Sequence, residues 1–217
     1  MLSVIVPMRN EPHPEEAVGR IHEALIDLPE DYEVIVVTGD RENAPFKCPN
    51  FPRTRHVVTY GDSLERSILN GFSHAHGDKV AVMDADGSHP AGNLPNMAML
   101  LSEYELVVGS RFVAGAEFKA SLKRGLVTTL TRYMAYEAGS NLRDPMSGFF
   151  ALRREVLDRC RFRPITWKTA LEVELRARPK TVEIPIRFLE RVEGKSNTSM
   201  RIGLKLLWQL LTEGYNQ

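Results

Sequence analysis

At 217 residues the chain is long enough for one sizeable α/β domain with a full core. Its 28 basic side chains balance its 28 acidic ones, which argues against a nucleic-acid coat and leaves any anionic ligand to a local basic cluster. The two cysteines, Cys48 and Cys160, form no CxxC pair, so neither a disulfide framework nor a zinc site is expected and a reducing compartment is the default.

The N-terminus runs straight into Leu2-Ser3-Val4-Ile5-Val6 without the regions of a signal peptide. Residues 3–6, 33–37, 56–59, 80–83 and 106–108 are short, β-branched runs, apolar on both faces, and read as buried strands. Residues 14–28, 63–76 and 91–102 lie between them and carry apolar side chains at helical spacing. This alternation predicts an α/β fold with a mostly parallel, doubly wound, Rossmann-like sheet. Ligands of such sheets bind beyond the carboxyl ends of the strands. Polar residues stand there: Pro7-Met8-Arg9-Asn10-Glu11, Thr38-Gly39-Asp40, Asp84-Ala85-Asp86-Gly87 and Gly109-Ser110-Arg111. A helix over 121–139, a loop at Asp144-Pro145-Met146-Ser147-Gly148, mixed structure and a late strand over 181–186 follow. No repeat or linker interrupts the chain, so residues 1–199 form one domain and 200–217 stand apart. No apolar run approaches the roughly 20 residues that cross a bilayer, so the chain is soluble or peripheral.

Asp84 and Asp86 follow the apolar run at 80–83 with one residue between them. Two carboxylates so placed can share a hard divalent cation, which would neutralise a diphosphate leaving group. The same spacing also suits a turn in which aspartates bond the local backbone. An EF-hand is a poorer match, because Pro95 stands where the bidentate glutamate is required. Gly194-Lys195-Ser196 is no P-loop, since Leu189 occupies the position of the earlier glycine. His74 and His76 fall on different faces of a helix, and no GxSxG elbow is present. Asn197-Thr198-Ser199 fits a glycosylation acceptor, but without a secretory signal the match carries no weight.

Taken together the motifs resemble those of family 2 glycosyltransferases with the GT-A fold, nearest the dolichol- and polyprenyl-phosphate mannosyltransferases. The segments at 4–11, 70–78, 83–90, 108–112 and 144–149 are similar to that family's segments in the same order, as are Glu183-Ile184-Pro185-Ile186 with 191–196. The likeness spans residues 2–199, with 1–110 as the nucleotide-sugar and metal half and 111–199 as the acceptor half. Three departures stand out. Thr38-Gly39-Asp40 replaces an aspartate pair, Ser88 replaces a glutamine that is a further metal ligand, and Lys195 precedes Ser196 where relatives place the lysine after it.

The resemblance implies an inverting transfer of a sugar, mannose from GDP-mannose in the first place and glucose from UDP-glucose as the alternative, to a polyprenyl phosphate. It implies Mg²⁺ or Mn²⁺ at Asp84, Asp86 and Ser88, and a nucleotide-sugar pocket of Pro7, Arg9, Glu11, Asp40, Asp84, Ala85 and Asp86. Glu11 also reads as an ordinary acid near a helix N-terminus. Asp86, Arg111 and Arg191 are the catalytic candidates, and Lys123, Arg124, Arg143 and Ser196 the candidates for the acceptor phosphate. Asp144 either orients one of these arginines or closes a turn before Pro145. Trp167 and Lys168 fall at a helix start near the acceptor, with Trp167 read as core. A phosphate acceptor is already ionised, with a second pKa of roughly 6, and needs no general base.

Residues 200–211 place Arg201, Lys205 and Gln209 on one helical stripe, with Trp208 and most leucines elsewhere. They form either a last helix docked on the core or an interfacial helix that holds the chain to the cytoplasmic face of a membrane. A small membrane partner is the other route to that surface. Two rivals are weighed. Transfer to a saccharide hydroxyl would need a base such as Glu172 or Glu174, and the altered segments at 38–40 and Ser88 suit a catalytically weakened nucleotide-binding module.

Overall fold

The computed structural model describes residues 1–9, 11, 13–39, 51–60, 63–117, 122–162 and 168–188, with backbone alone for 122–127. Seven strands form one sheet: β1 (Leu2–Met8), β2 (Tyr32–Gly39), β3 (Thr54–Thr59), β4 (Lys79–Val82), β5 (Leu106–Ser110), β6 (Phe150–Arg153) and β7 (Thr181–Pro185). Their order is β3-β2-β1-β4-β6-β5-β7. The helices are α1 (Pro14–Leu25), α2 (Leu64–His74), α3 (Leu94–Leu100), α4 (Leu122–Glu137) and α5 (Thr169–Ala177).

The sheet separates two apolar layers. Alternate residues of the central strands, such as Val4, Val6, Val34 and Val36, pack with α1 and α3 on one side. Ile5, Ile35, Val37, Val80 and Val82 pack with residues of α2, α4 and α5 on the other. A strand buried on both faces is apolar at most positions, and β1 and all of β2 but its last residue are buried throughout. Their buried polar residues have partners, Ser3 Oγ donating to Glu33 Oε1 at 2.7 Å and Thr38 Oγ1 lying 2.8 Å from His56 Nε2. On α2, Gly71 lets helix and strand approach: a Cβ there would lie 2.5 Å from Ile5 Cγ2.

Pro7 lies within β1, in the middle of the sheet, yet disrupts no ladder. The pairing of β1 with β4 ends at Ile5↔Val82, so among the described residues Pro7 pairs with Val37 of β2 alone. Its missing N–H falls where β4 has already turned away.

The sheet is mostly parallel, as expected, with one reversed strand: β6 runs antiparallel between β4 and β5. The loop preceding β6 lies at the carboxyl ends of its neighbours, so the strand entering from there must run backwards. Two expectations are corrected. Among the described residues the run at 56–59 belongs to an edge strand and not a buried one: β3 pairs there with β2 alone, and Val58 is 54% exposed. The helix at 91–102 is a 3-10 turn at Ala91–Asn93 followed by α3. Pro95, in the first turn of α3, suits a helix start and not an interior. Residues 200–217 lie outside the described residues.

Candidate active site

The carboxyl ends of β4 and β5 and the loop at 144–149 meet at one place. Beyond β4 the chain leaves the core through buried Met83, and Asp84 and Asp86 emerge partly exposed on either side of buried Ala85. Both aspartates are held locally. The Asp84 N–H donates to His89 Nδ1 at 3.0 Å. That nitrogen must therefore be the acceptor, and the ring proton resides on Nε2, which lies 3.9 Å from Asp84 Oδ2. His89 is buried against Phe149, with ring centroids 5.2 Å apart. Burial lowers its pKa, against the pull of Asp84 and Asp86, so the ring is neutral. Asp86 Oδ1 accepts from Ser88 N at 3.0 Å and from Ser88 Oγ at 2.5 Å. Ser88, 1% exposed, thus orients Asp86.

The turn reading and the metal reading of this pair are compatible. One oxygen of Asp86 orders the turn, and the carboxylates still project from a rigid strand end. Among the described residues no group of three or more His, Cys, Asp or Glu side chains gathers as a cation cage. Two carboxylates fit an ion that takes its remaining ligands from phosphate oxygens and water, as Mg²⁺ commonly does.

Arg111 follows β5 and faces Asp144 across 33 residues of chain. Asp144 is fully buried, and its Oδ2 accepts from Arg111 Nε at 2.7 Å and from the Arg111 backbone N–H at 3.0 Å. Its Oδ1 accepts from Arg111 Nη2 at 2.7 Å. Such a bidentate fork fixes direction as well as distance. Phe112 and Phe188 border the guanidinium at 5.4 and 5.3 Å. Both readings of Asp144 hold: its carboxylate orients Arg111, and its carbonyl accepts from the Ser147 N–H at 3.1 Å, closing the turn that contains Pro145.

The same loop is pinned elsewhere. Glu183 of β7 accepts from the N–H of Arg143 at 2.7 Å and of Asp144 at 2.9 Å. Ser147 Oγ donates to the Gly109 carbonyl at 2.7 Å. Lys168, at the start of α5 and 2% exposed, donates to the Met146 carbonyl at 2.8 Å. These contacts bring Gly148 against the metal candidate, where a Cβ would stand 3.3 Å from Asp84 Oδ2.

The sequence candidates divide as follows. Asp84, Ala85, Asp86, Ser88 and Arg111 belong to this constellation. Pro7, exposed Arg9 and half-buried Glu11 lie at the end of β1 two strands from β6, where a donor pocket was expected. Arg143 contributes its backbone to the loop, while its side chain lines an open groove of about 520 Å³ with Arg132, Tyr133 and Tyr136 of α4. Lys123 and Arg124 fall in the first turn of α4, where only the backbone is described. Asp40, Trp167, Arg191 and Ser196 lie outside the described residues.

Glu172 and Glu174 face elsewhere: Glu172 bonds Arg176 at 2.8 Å and Glu174 accepts from the Asn141 N–H at 3.1 Å. His74 and His76 form no chelate, as α2 ends at His74 and His76 lies beside Glu33. Sequence reasoning passed over His89 and Glu183 as site residues. A histidine three residues beyond Asp86 was the one available signal for His89; Glu183 reaches the loop through pairing that spans 39 residues.

The sequence and the fold of this chain resemble those of known proteins. The Glycosyl transferase family 2 pattern matches residues 3–161. A dolichol-phosphate mannosyltransferase of Pyrococcus furiosus is 31% identical over 209 residues, covering 90% of this chain and 58% of the relative. The Saccharomyces cerevisiae dolichol-phosphate mannosyltransferase is 32% identical over 165 residues, 71% of this chain and 61% of the relative. The chain therefore spans about three fifths of the length of these curated relatives. Among solved structures, glucosyl-3-phosphoglycerate synthase from Mycobacterium tuberculosis, in complex with Mn²⁺, uridine diphosphate and phosphoglyceric acid, superposes with a TM-score of 0.68 at 19% identity. It covers 98% of this chain and 78% of that one. The likeness extends to the GT-A arrangement of the whole described sheet.

Proposed function

This chain belongs to glycosyl transferase family 2, and from that premise we propose that it transfers a sugar from a nucleotide-diphosphate donor to a polyprenyl phosphate. The observation that carries the reading is the meeting of the Asp84 and Asp86 turn with the 144–149 loop at Gly148. It sets a carboxylate pair suited to a donor diphosphate against a loop anchored in the second half of the chain.

Asp84 and Asp86 would hold Mg²⁺ or Mn²⁺, which offsets the charge of the departing diphosphate. Ser88 and His89 keep the two carboxylates oriented, so little reorganisation remains when charge develops. The end of β1, with Pro7, Arg9 and Glu11, and the segment with Asp40 line the nucleoside side. Arg111 organises the acceptor side from its fork with Asp144. Lys123, Arg124, Arg143, Arg191 and Ser196 are the candidates for gripping the acceptor phosphate. Among the described residues, the two candidates for a base each hold another group, Glu172 the Arg176 side chain and Glu174 the Asn141 N–H, which is consistent with a phosphate acceptor. An ionised phosphate attacks without proton removal, whereas a saccharide hydroxyl needs a carboxylate near it.

The mannosyltransferase names of both relatives favour GDP-mannose as the donor, with UDP-glucose as the alternative. A polyprenyl acceptor would bring the chain to the cytoplasmic face of a membrane. Among the described residues no helix is long and apolar enough to cross one. Leu130, Tyr133 and Tyr136 of α4 are 60%, 61% and 69% exposed, and Arg132 lies among them. Aromatic, aliphatic and basic groups on one helix suit a headgroup boundary. Cys160, half-buried with its thiol pushed up to about 11 by burial, is chemically quiet and fits a reducing compartment.

The test is transfer itself, measured with GDP-mannose and UDP-glucose on a short polyprenyl phosphate, with Mn²⁺ and with EDTA. Metal-dependent mannosyl transfer supports the reading, full activity in EDTA removes the metal, and transfer only to free saccharides removes the acceptor. Removing residues 200–217 should lower activity on liposome-embedded acceptor more than on the short, detergent-soluble one.

A further inference from the structure

Lys168 combines features that seldom occur together. It opens α5, is 2% exposed, and its ammonium donates to the Met146 carbonyl at 2.8 Å. Lysine is almost never fully buried unless its charge is balanced, because desolvation costs several kcal/mol. Burial first, and Arg111 after it, push its pKa well below the ordinary lysine value, while Asp84 and Asp144, one from each half of the site, act in favour of the ammonium.

We propose that Lys168 is a positioning residue that joins the two halves of the site, fixing the Met146 carbonyl so that Gly148 stays seated against Asp84. The geometry shows why a joint is needed there. Glu183 holds the first residues of the loop, at Arg143 and Asp144, and Ser147 holds its far end to Gly109. Lys168 holds the residue between them, and of these three tethers it alone comes from a helix and not from the sheet or the loop itself. A methionine of similar volume would fill the same space and leave the Met146 carbonyl without this donor. The loop would then be free to draw back from Asp84. Nucleotide binding, which depends on the ends of β1, β2 and β4, would be little affected.

The role rests on the proposed transfer only for its kinetic readout, so a second readout is independent of activity. In Lys168→Met, amide hydrogen exchange at Asp144, Ser147 and Phe149 should speed up by about tenfold or more, as expected for a local opening made easier, while amides of β1 and β2 stay unchanged. The dissociation constant for GDP with Mn²⁺ should remain within about twofold, and the KM for polyprenyl phosphate should rise by about tenfold, the mark of misplaced acceptor contacts. Lys168→Arg keeps a donor on a stem of similar reach and should restore most of the loop protection. If Lys168→Met does not fold, Lys168→Gln, whose amide stops short of the carbonyl, should show the same loss of protection. Unchanged exchange in the loop, or a loss of nucleotide binding in step with it, would overturn the proposal. Loop exchange as expected in a protein that transfers nothing to polyprenyl phosphate would sustain the joint and remove the proposed acceptor.

Discussion

In the first half of the domain Asp84 and Asp86 are delivered by β4, a short strand buried beyond its first residue between β1 and β6. In the second half Arg111 and Asp144 are held by each other, and the loop between them and β6 is held by Glu183, Ser147 and Lys168. The apolar core places one side of the site and buried polar contacts place the other. Apolar packing is non-directional and degrades gradually when trimmed. Buried charged hydrogen bonds are directional, and removing one partner leaves the other stranded in a poor solvent. Changes at Asp84 and Asp86 should therefore cost chemistry with little loss of stability, while changes at Asp144 should cost both together.

The sharpest test of that contrast is Asp144→Ala. It strands the Arg111 guanidinium and should cost about 3–5 kcal/mol of stability by urea unfolding, as removal of one partner of a buried ion pair does. Adding Arg111→Met should recover part of the loss, because the double variant buries no unpaired charge. A cost under about 1 kcal/mol would place the fork among surface ion pairs. At the carboxylate pair, Asp86→Asn should reduce transfer by about two orders of magnitude, roughly 2.7 kcal/mol in the barrier, and abolish the Mn²⁺-dependent thermal shift with GDP. Its unfolding midpoint without ligand should hardly move. Loss of fold in this variant would break the comparison.

Smaller effects probe the core itself. Gly71→Ala puts a methyl group 2.5 Å from Ile5 Cγ2 and should destabilise by about 1–3 kcal/mol through overpacking, with kcat unchanged in the folded fraction. Gly148→Ala sets a Cβ 3.3 Å from Asp84 Oδ2. A displacement of a few tenths of an ångström should weaken the Mn²⁺ midpoint by about tenfold, since catalytic geometry is steeply sensitive to position. The thermal midpoint gives the control, and it should stay near that of the parent. Least of all, Val58→Thr on the exposed edge of β3 should stay within about 0.5 kcal/mol. A larger loss would show that β3 is buried against residues beyond those described.

Much of the first half was legible in the chain. The strands at β1, β2, β4 and β5 announce themselves because burial on both faces requires continuous β-branched residues, and their carboxyl ends then predict where ligands go. Two elements of the second half carried no such signal. β6 is four residues long and follows the loop without a break. In α5 every residue from Thr169 to Leu175 is buried, Glu172 and Glu174 included. A helix without a solvent face shows no 3.6-residue period, so it reads as mixed structure. The edge position of β3 was illegible for a related reason: local composition reports propensity, and strand order is decided by the whole sheet.

The sequence by itself determined the family, the mostly parallel α/β sheet, the carboxylate pair at the exit of β4 and the arginine at the exit of β5, because each depends on residues close together in the chain. Only the tertiary structure decided that β6 runs backwards between β4 and β5, that Asp144 takes Arg111 and that Lys168 reaches Met146. The last two contacts join residues 33 and 22 positions apart, and a lone charged residue has no period or propensity that names its partner. Buried charges choose partners by what desolvation leaves within reach, and that choice exists only after the core has brought the strand ends together.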